Sequence, residues 1–167
     1  AGVYVIKDYD ENINLMVDKA SVAAQTIKGV LNQHVVYYSK QFDDQTARNE
    51  ELKRDLKLAI KNDEFVAFYQ PKVDINSGKL VGAEALIRWQ TKDNRLIPPG
   101  DFIPLSEKTG LVTDLDMIVF EKVLAFLRRS LDEGIECVPI SVNFSRLHFS
   151  NEKFLPTLLQ KMEKYQV

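Results

Sequence analysis

One stretch of the chain, residues 65–89, has the pattern of a β-hairpin. Its two arms, 65–75 and 80–89, are rich in aromatic and β-branched residues, which favour extended strands. Between them, Asn76, Ser77 and Gly78 have the composition of a tight turn, in which Gly78 is free to adopt a positive φ. This hairpin constrains the fold more than any other feature, because it requires the two strands to be antiparallel neighbours.

The second arm contains an isolated carboxylate, Glu84, in a run of otherwise apolar residues and glycine at 80–87. A charged side chain in such a strand is costly unless it meets a cation or hydrogen-bond donors. Strands this apolar are typical of sheets that are covered on both faces. Glu84 is therefore either paired for structural reasons or part of a functional site, and this stretch alone leaves both readings open.

After the hairpin, the chain alternates between helices and a strand. The pattern predicts a short helix that ends at Gly110, a long helix that ends at Gly134, a strand at 138–144 and a last helix capped by Ser150. Alternation of strands and helices predicts a parallel sheet built from βα units. The sequence therefore indicates an α/β fold in which the first arm of the hairpin runs against the other strands.

The region before the hairpin is smaller and more polar. Two short strands, 2–6 and 34–38, flank a helix for which Asn14 is the candidate N-cap. A segment of about forty residues buries too little surface to form a core by itself. A highly charged helix is predicted over 43–62, with a single narrow apolar stripe. Its charged face indicates a solvated connector between domains, and the alternative is a signalling or dimerisation helix.

Composition excludes several functional classes. The 167 residues carry a net charge of −2, whereas a protein that binds duplex nucleic acid normally presents a basic face. No apolar run reaches the roughly 18 residues of a membrane span. The single cysteine, Cys137, cannot form an internal disulfide and fits a reducing cytoplasm, so we expect a cytoplasmic location, with any membrane tether upstream. His34 and His148 lack the spacing of zinc ligands.

An ordered series of short motifs carries a family resemblance. The motifs are, in order, Gln70-Pro71, Glu84-Ala85-Leu86, Arg88-Trp89, residues 102–111 and residues 141–145. Together they resemble the EAL-domain family, the cyclic di-GMP phosphodiesterases. The resemblance implies a TIM-like (β/α) barrel whose first strand is antiparallel to its neighbour. This implication agrees with the hairpin and the parallel sheet that the pattern predicts independently.

The resemblance also implies a domain organisation. Residues 65–167 resemble the N-terminal half of an EAL domain, because a complete barrel needs roughly 250 residues. Residues 43–64 are then the connecting helix. Both ends of the chain are expected to continue into a longer parent protein, because residue 1 is already close to a predicted strand and the last helical pattern runs to the end of the chain.

Residues 1–42 resemble the C-terminal end of a second family, the GGDEF or diguanylate cyclase-like domains. The helix matches that family's pattern at Asp18, Ala20 and Ala24, and departs from it at two further positions. We expect a short α+β remnant of such a domain. The signature motif of the GGDEF family is expected upstream of residue 1, so nothing in these residues supports cyclase activity.

Two residues are candidates for holding a metal ion. In α/β barrels the functional site lies at the C-terminal ends of the strands, where Glu84 and Asn143 are predicted to fall on neighbouring strands. Two oxygen donors at that edge can share a hard cation, Mg²⁺ or Mn²⁺ rather than zinc. The resemblance implies that both are metal ligands, with Glu84 catalytic and Asn143 also in the substrate site. The alternative for Asn143 is a capped strand end.

Three further residues are candidates for binding substrate. Arg88 lies four residues after Glu84 and on the same face of the strand, and a guanidinium there can bind a phosphate bidentately. The resemblance implies that Arg88 and Gln70 contact the dinucleotide and that Leu86 packs against it. The structural alternatives are a salt bridge from Arg88 to Glu84 or Glu107, and a strand-end hydrogen bond for Gln70.

The resemblance implies a cyclic di-GMP-specific phosphodiesterase of bacterial second-messenger signalling, dependent on Mg²⁺ or Mn²⁺ and acting as a homodimer through the EAL domain or the connecting helix. The family's further metal carboxylates, its Asp-Asp pair and its catalytic lysine are expected beyond residue 167. The fragment alone is therefore expected to be inactive. Two alternatives remain open: a catalytically inactive cyclic di-GMP receptor, and a protein-interaction module that uses the fold only for docking.

The strand predicted at 138–144 would have an open edge in half a barrel, and bare edges invite pairing with another chain. We therefore predict that residues 1–167, produced alone, associate or fold poorly. Light scattering coupled to size-exclusion chromatography, together with urea unfolding, tests this expectation. A monodisperse monomer that unfolds cooperatively would contradict it.

Overall fold

The structure is a computed structural model, and it describes residues 1–6, 11–27 and 34–167. It divides into two compact units, Ala1–Leu52 and Lys53–Val167. None of the helices in these described ranges has the length and apolar character that crossing a bilayer requires.

The first unit contains a short parallel strand pair and a helix. Strand β1 (Gly2–Val3) pairs with β2 (Val36–Tyr37), and both are shorter than the strands predicted from the sequence. The intervening helix α1 (Ile13–Thr26) packs closely on β1, since a Cβ at Gly2 would lie 2.0 Å from the carbonyl oxygen of Ala20. Only glycine permits this approach.

The N-cap of α1 is Asn12 and not Asn14, so the expected cap was two residues too late. The side-chain oxygen of Asn12 accepts a hydrogen bond from the backbone N–H of Asn14 at 2.8 Å. Asn12 has the extended backbone conformation of an N-cap, whereas the helix is already established at Ile13. Two asparagines so close together give equivalent sequence signals, and only the backbone conformation separates them.

Helix α2 (Lys40–Lys61) begins three residues earlier than the pattern predicts and runs from the first unit into the second. Within the second unit it buries Leu56 and Ala59, which belong to the predicted apolar stripe. The rest of its surface is polar and charged, as the sequence predicts for a solvated helix.

The second unit contains a four-stranded sheet and three helices. The strands are β3 (Phe65–Val73), β4 (Leu80–Gln90), β5 (Leu96–Ile97) and β6 (Ile140–Val142), and the helices are α3 (Pro99–Thr109), α4 (Val112–Asp132) and α5 (Phe154–Tyr165). A 3-10 helix (Arg146–Ser150) follows β6. The order confirms the predicted hairpin and the alternation after it. Strand β6 is shorter than the predicted strand 138–144, and Ser150 ends the 3-10 helix instead of capping the last helix, which begins at Phe154 with Lys153 as its N-cap. The sequence did not predict β5 or the 3-10 helix.

Strand β4 organises the sheet. It pairs with β3 in antiparallel register, with Gln70 opposite Glu84, and with β6 in parallel register, with Glu84 opposite Ser141. The antiparallel hairpin and the parallel neighbour are therefore both confirmed. The short β5 adds an antiparallel pair at the end of β4, where Trp89 lies opposite Ile97.

The turn of the hairpin is stabilised by its own side chains. One carboxylate oxygen of Asp74 accepts hydrogen bonds from the backbone N–H of Ser77 at 2.7 Å and from its hydroxyl at 2.6 Å. These bonds, the hydroxyl's first, hold the pKa of Asp74 below its ordinary value. Gly78 adopts a φ of 67°, a conformation that glycine reaches without steric cost.

One face of the sheet forms the core against α4. Ala85 is buried with Val119 and Val123 of that helix, and an aromatic cluster of Phe65, Trp89 and Phe102 closes the end of the sheet, with ring centroids 5.6–5.8 Å apart. Because side chains alternate along a strand, the even-numbered residues of β3 and β4 lie on the opposite face. That face carries the candidate site residues.

We predict that Phe102→Ala destabilises the protein by about 3–5 kcal/mol, because its side chain is fully buried and its removal leaves a cavity. Phe149→Ala is the matched control, since Phe149 is 78% exposed, and it should cost less than about 0.5 kcal/mol. Urea unfolding of the two variants followed by circular dichroism gives the comparison. Equal losses would show that the aromatic cluster does not stabilise this unit.

Candidate functional site

The site is centred on Glu84, in the middle of β4. Its backbone lies between Gln70 of β3 and Ser141 of β6, and its side chain is 34% exposed. The carboxylate is therefore not buried among apolar side chains, as the sequence pattern suggested that it could be. It lies on the face of the sheet opposite the α4 core.

The two predicted metal ligands lie side by side. Strand β6 ends at Val142, and the next residue, Asn143, reaches across to Glu84. The distance from the Asn143 amide nitrogen to Oε1 of Glu84 is 2.8 Å. The amide carries an oxygen and a nitrogen on one rotatable group, so a half-turn of the amide would bring its oxygen to the same point.

A cation from the neighbouring strand also approaches Glu84. The Nζ atom of Lys72 lies 2.7 Å from the Ser141 hydroxyl oxygen and 3.9 Å from Oε2 of Glu84. Lys72 is paired with Gly82, and a Cβ at Gly82 would lie 3.9 Å from both the Cβ and the Cδ of Lys72. Those distances are ordinary van der Waals contacts, and the closest contact of such a Cβ would be the carbonyl oxygen of Pro139 at 3.2 Å. Sequence reasoning missed this residue, although the hairpin register alone places it near Glu84.

Arg88 lies on the same face but forms no ion pair with Glu84 or Glu107 in the part of the chain described. Its guanidinium lies over the ring of Phe68, 5.6 Å from the ring centroid. One of its nitrogens donates a hydrogen bond to the carbonyl of Ile87 at 2.8 Å. The salt bridges that were the structural alternatives for Arg88 are therefore absent among these residues.

A cavity of about 320 Å³ opens beside these residues, between the ends of β4 and β6 and the helices α3 and α4. Its polar lining comes from Arg88, Glu107, Asp116, Asn143 and Ser145. Leu86 contributes to its apolar wall, most of which comes from residues on the α4 side of the sheet, among them Ala85, Leu115 and Val119. Three predicted substrate residues thus meet at one cavity. The fourth, Gln70, lies opposite Glu84 on β3 and is not part of the cavity wall.

Comparison with known protein families identifies the family to which this part of the chain belongs. A model described as the EAL domain matches residues 53–167. The chain belongs to the EAL-domain family. Glu84, Ala85 and Leu86 are this chain's Glu-Ala-Leu tripeptide, and it lies in β4 beside both neighbouring strands.

Curated relatives share this EAL region. The bifunctional diguanylate cyclase/cyclic di-GMP phosphodiesterase MucR of Pseudomonas aeruginosa is 40% identical over 101 residues, 60% of this chain and 15% of that protein. The cyclic di-GMP phosphodiesterase PdeR of Escherichia coli is 34% identical over 113 residues, 68% of this chain and 17% of that protein. The signaling protein YkoW of Bacillus subtilis is 32% identical over 161 residues, 96% and 20% respectively. The chain therefore spans a fifth or less of these relatives.

Solved structures show the same fold. The chain superposes on the PaMucR phosphodiesterase in its c-di-GMP complex with a TM-score of 0.64 at 34% identity, covering 70% of this chain and 47% of that one. The EAL enzyme Bd1971 in its cGMP-bound form gives a TM-score of 0.67 at 21% identity, with 95% and 41% coverage, which is a likeness of fold alone. The fold is therefore the barrel-like EAL fold, of which this chain provides part.

The donor atoms in this EAL domain fit a hard divalent cation in kind but not in number. Glu84 and Asn143 offer carboxylate and amide oxygens, the ligands that Mg²⁺ and Mn²⁺ prefer. Within residues 1–6, 11–27 and 34–167 there is no group of three or more His, Cys, Asp or Glu side chains that could hold a metal. A complete octahedral shell would need further ligands from water, from substrate or from the rest of an EAL barrel.

A buried polar pair lies next to this EAL site, and sequence reasoning missed it. Oδ2 of Asp116, on α4, lies 3.1 Å from Nε2 of His148 and accepts a hydrogen bond from the backbone N–H of Ser145 at 2.7 Å. Burial raises the pKa of Asp116 above its ordinary value, the Ser145 and His148 contacts oppose that rise, and the charge of Glu107 adds to it. The local sequence signal was weak: Asp116 stands between the apolar residues Leu115 and Met117, but α4 also contains Asp114 and Asp132.

Proposed function

We propose that the full-length protein containing this chain is a metal-dependent cyclic di-GMP phosphodiesterase. The observation that carries the proposal is the 2.8 Å contact between Asn143 and Glu84, on the face of the sheet that also bears Arg88. Two oxygen-bearing side chains, one in the middle of β4 and one just past the end of its parallel neighbour β6, suit a divalent cation, and a guanidinium further along β4 suits a phosphate ester. The names of MucR and PdeR support the same activity.

In this proposal, Glu84 and Asn143 hold Mg²⁺ or Mn²⁺, with Glu84 as the catalytic ligand. When bound, such a cation polarises a phosphoryl oxygen and supplies hydroxide from water near neutral pH. Glu84 is already flanked by Asn143 at 2.8 Å and Lys72 at 3.9 Å, so its carboxylate is oriented before any cation arrives. Further ligands are assigned to the remainder of the barrel, because the chain spans 47% of the PaMucR phosphodiesterase chain.

The substrate-binding roles follow from the cavity. Arg88 binds a phosphate, Leu86 packs against the dinucleotide and Asn143 lies at the junction of the cavity with the metal site. Gln70 lies opposite Glu84 on the exposed face of the hairpin, from which it reaches substrate on the far side of the carboxylate. A cavity of about 320 Å³ is at the lower end of the usual range for ligand pockets, which suits one part of a dinucleotide.

We further propose the domain organisation given by the sequence: the end of a GGDEF-like domain in residues 1–42, a connecting helix in 43–64 and the EAL domain from 65 onward. Supporting this, the YkoW match covers 96% of the chain and so extends beyond the EAL region, and the name of MucR includes a diguanylate cyclase. A cytoplasmic homodimer remains part of the proposal.

We predict that Glu84→Gln lowers kcat for cyclic di-GMP by more than about 100-fold. Removing a residue that only hydrogen-bonds to a metal ligand costs up to about 100-fold in activity, and removing the charge of a ligand itself should cost more. The side chain keeps its size but loses the charge that binds the cation. Full-length wild type and variant are compared with Mg²⁺ and with Mn²⁺, and the product is identified as the linear dinucleotide. Glu107→Gln is the matched control, since Glu107 lines the cavity and is not proposed as a ligand.

The outcomes of this experiment separate the competing functions. Turnover in the wild type that disappears in Glu84→Gln supports the phosphodiesterase. Binding of cyclic di-GMP without turnover would identify a receptor instead, and the absence of both would leave only a docking module. Equal rates in wild type and Glu84→Gln would remove Glu84 from the catalytic site.

We predict that Arg88→Lys raises KM for cyclic di-GMP by about 10-fold or more, because a lysine cannot make the bidentate phosphate contact of a guanidinium. The effect on kcat should be smaller, since Arg88 is assigned to binding. Arg95→Lys is the control, because Arg95 is an exposed residue that pairs with Asp93. Initial rates over a range of substrate concentrations give both constants, and an unchanged KM would contradict the assigned role.

A further inference from the structure

We propose that Asp116 and His148 are positioning residues that fix the turn after Asn143 and thereby set how tightly the Glu84–Asn143 pair binds its divalent cation. The inference rests on the proposed function in one respect, namely that Glu84 and Asn143 are metal ligands. It assigns a role to a buried pair outside that ligand set.

The pair anchors the chain directly behind Asn143. A single carboxylate oxygen of Asp116 accepts the backbone N–H of Ser145 at 2.7 Å and lies 3.1 Å from Nε2 of His148. Asp116 belongs to α4, which packs on the other face of the sheet against Ala85. The anchor therefore ties the turn to a helix that forms part of the core of this unit.

The anchored turn is also closed on itself. The backbone N–H of His148 donates to the carbonyl of Ser145 at 3.1 Å, and the hydroxyl of Ser145 accepts from the N–H of Leu147 at 3.3 Å. These bonds start the 3-10 helix Arg146–Ser150. Holding Ser145 and His148 on one carboxylate oxygen therefore fixes the whole turn as a unit.

Asn143 lies in a short bridge between two fixed points. On one side, Val142 is paired with Ala85 in the β4–β6 ladder. On the other, Ser145 is held by Asp116, so that only Asn143 and Phe144 lie between. The ring of Phe144 contacts the ring of His148 with centroids 5.6 Å apart. Little freedom remains for the backbone that aims the Asn143 amide at Glu84.

The surroundings of His148 make its hydrogen bond costly to lose. His148 is 5% exposed and stacks on Phe154 of α5 with ring centroids 4.3 Å apart. The carboxylate of Asp116 accepts this hydrogen bond. A carboxylate that is largely shielded from water is strongly destabilised when its donor is removed. Removing the His148 donor should therefore shift Asp116, and with it the Ser145 end of the bridge.

A second tether on the same helix provides a matched control. Glu121 of α4 pairs with Lys161 of α5, and this pair also joins two elements of the unit. It does not touch the segment 143–148. If the Asp116–His148 pair served stability alone, breaking either tether would affect cation binding equally little.

The test measures Mn²⁺ binding to the full-length protein by the loss of the free Mn²⁺ signal in electron paramagnetic resonance, with no substrate present. We expect Asp116→Ala to weaken Mn²⁺ binding by about 10–100-fold, the usual effect of losing an outer-shell partner. We expect Glu121→Gln to change it by less than about twofold, because part-exposed ion pairs contribute little. Thermal unfolding of each variant gives its loss of stability separately.

Two substitutions of His148 separate its hydrogen bond from its packing. His148→Gln keeps a nitrogen donor near the position of Nε2 but loses the aromatic stacking, whereas His148→Phe keeps a ring and loses the donor. We expect His148→Gln to bind Mn²⁺ almost as the wild type does and His148→Phe to bind it more weakly, whichever variant is the less stable. His148→Phe also preserves the test if Asp116→Ala does not fold.

The outcomes distinguish this inference from the proposed function. Turnover in the wild type with unchanged Mn²⁺ binding in Asp116→Ala and His148→Phe would overturn the positioning role and leave the phosphodiesterase intact. If the wild type binds Mn²⁺ but has no turnover, and those variants bind Mn²⁺ more weakly than the wild type does, the positioning role is supported and the proposed activity is ruled out. A wild type that does not bind Mn²⁺ would overturn both.

Discussion

The register between β3 and β4 is the constraint on which the second unit depends. With Phe65 opposite Trp89 and Gln70 opposite Glu84, the odd-numbered side chains face α4 and the even-numbered ones face away. A slip by one residue would exchange the two faces, placing Glu84 and Arg88 against the apolar helix. The hydrogen bonds of Asp74 to Ser77 and the positive φ of Gly78 set the turn that fixes this register.

The same register explains how the strand tolerates a carboxylate among apolar neighbours. Glu84 is surrounded in sequence by residues of the core, yet its own side chain points to the open face, where Asn143 donates to it and Lys72 approaches it. A part-exposed pair such as Lys72 and Glu84 contributes little to stability. The arrangement therefore orients the carboxylate more than it stabilises the fold, which agrees with the proposed role of Glu84.

Membership of the EAL family and the geometry of the site address different questions. The family match covers residues 53–167, which lie within or next to the second compact unit, and it fixes the fold of that unit. The activity depends on particular side chains, because one fold hosts many functions. Here Asn143 lies 2.8 Å from Glu84, and a cavity lined by Asn143 and Arg88 adjoins them.

Within the site, some contacts were predictable from local patterns and others were not. The neighbouring positions of Glu84 and Asn143 follow from the parallel pairing of the two strands, in which the end of β6 lies beside the middle of β4. The approach of Lys72 depends on its hydrogen bond to Ser141, 69 residues further along the chain, and the partner of Asp116 lies 32 residues further along the chain. Neither contact produces a periodic pattern in the sequence, because each joins single residues of two different elements.

The sequence by itself determined the elements that have a periodic hydrophobic pattern or a characteristic turn or helix-ending residue. These are the hairpin and its turn, the helices α4 and α5 and the α/β alternation, together with the motifs that mark an EAL domain. These follow from periodicity and from the backbone preferences of glycine and proline, which act over a few residues. The tertiary structure alone decided which asparagine caps α1, that β5 forms and that Asp116 holds the turn at Ser145. The contact of Asp116 with Ser145 joins residues 29 positions apart, about which local propensity contains no information. The cap and β5 involve residues close in sequence, but each depends on a backbone conformation or a strand pairing that the residue types alone do not specify.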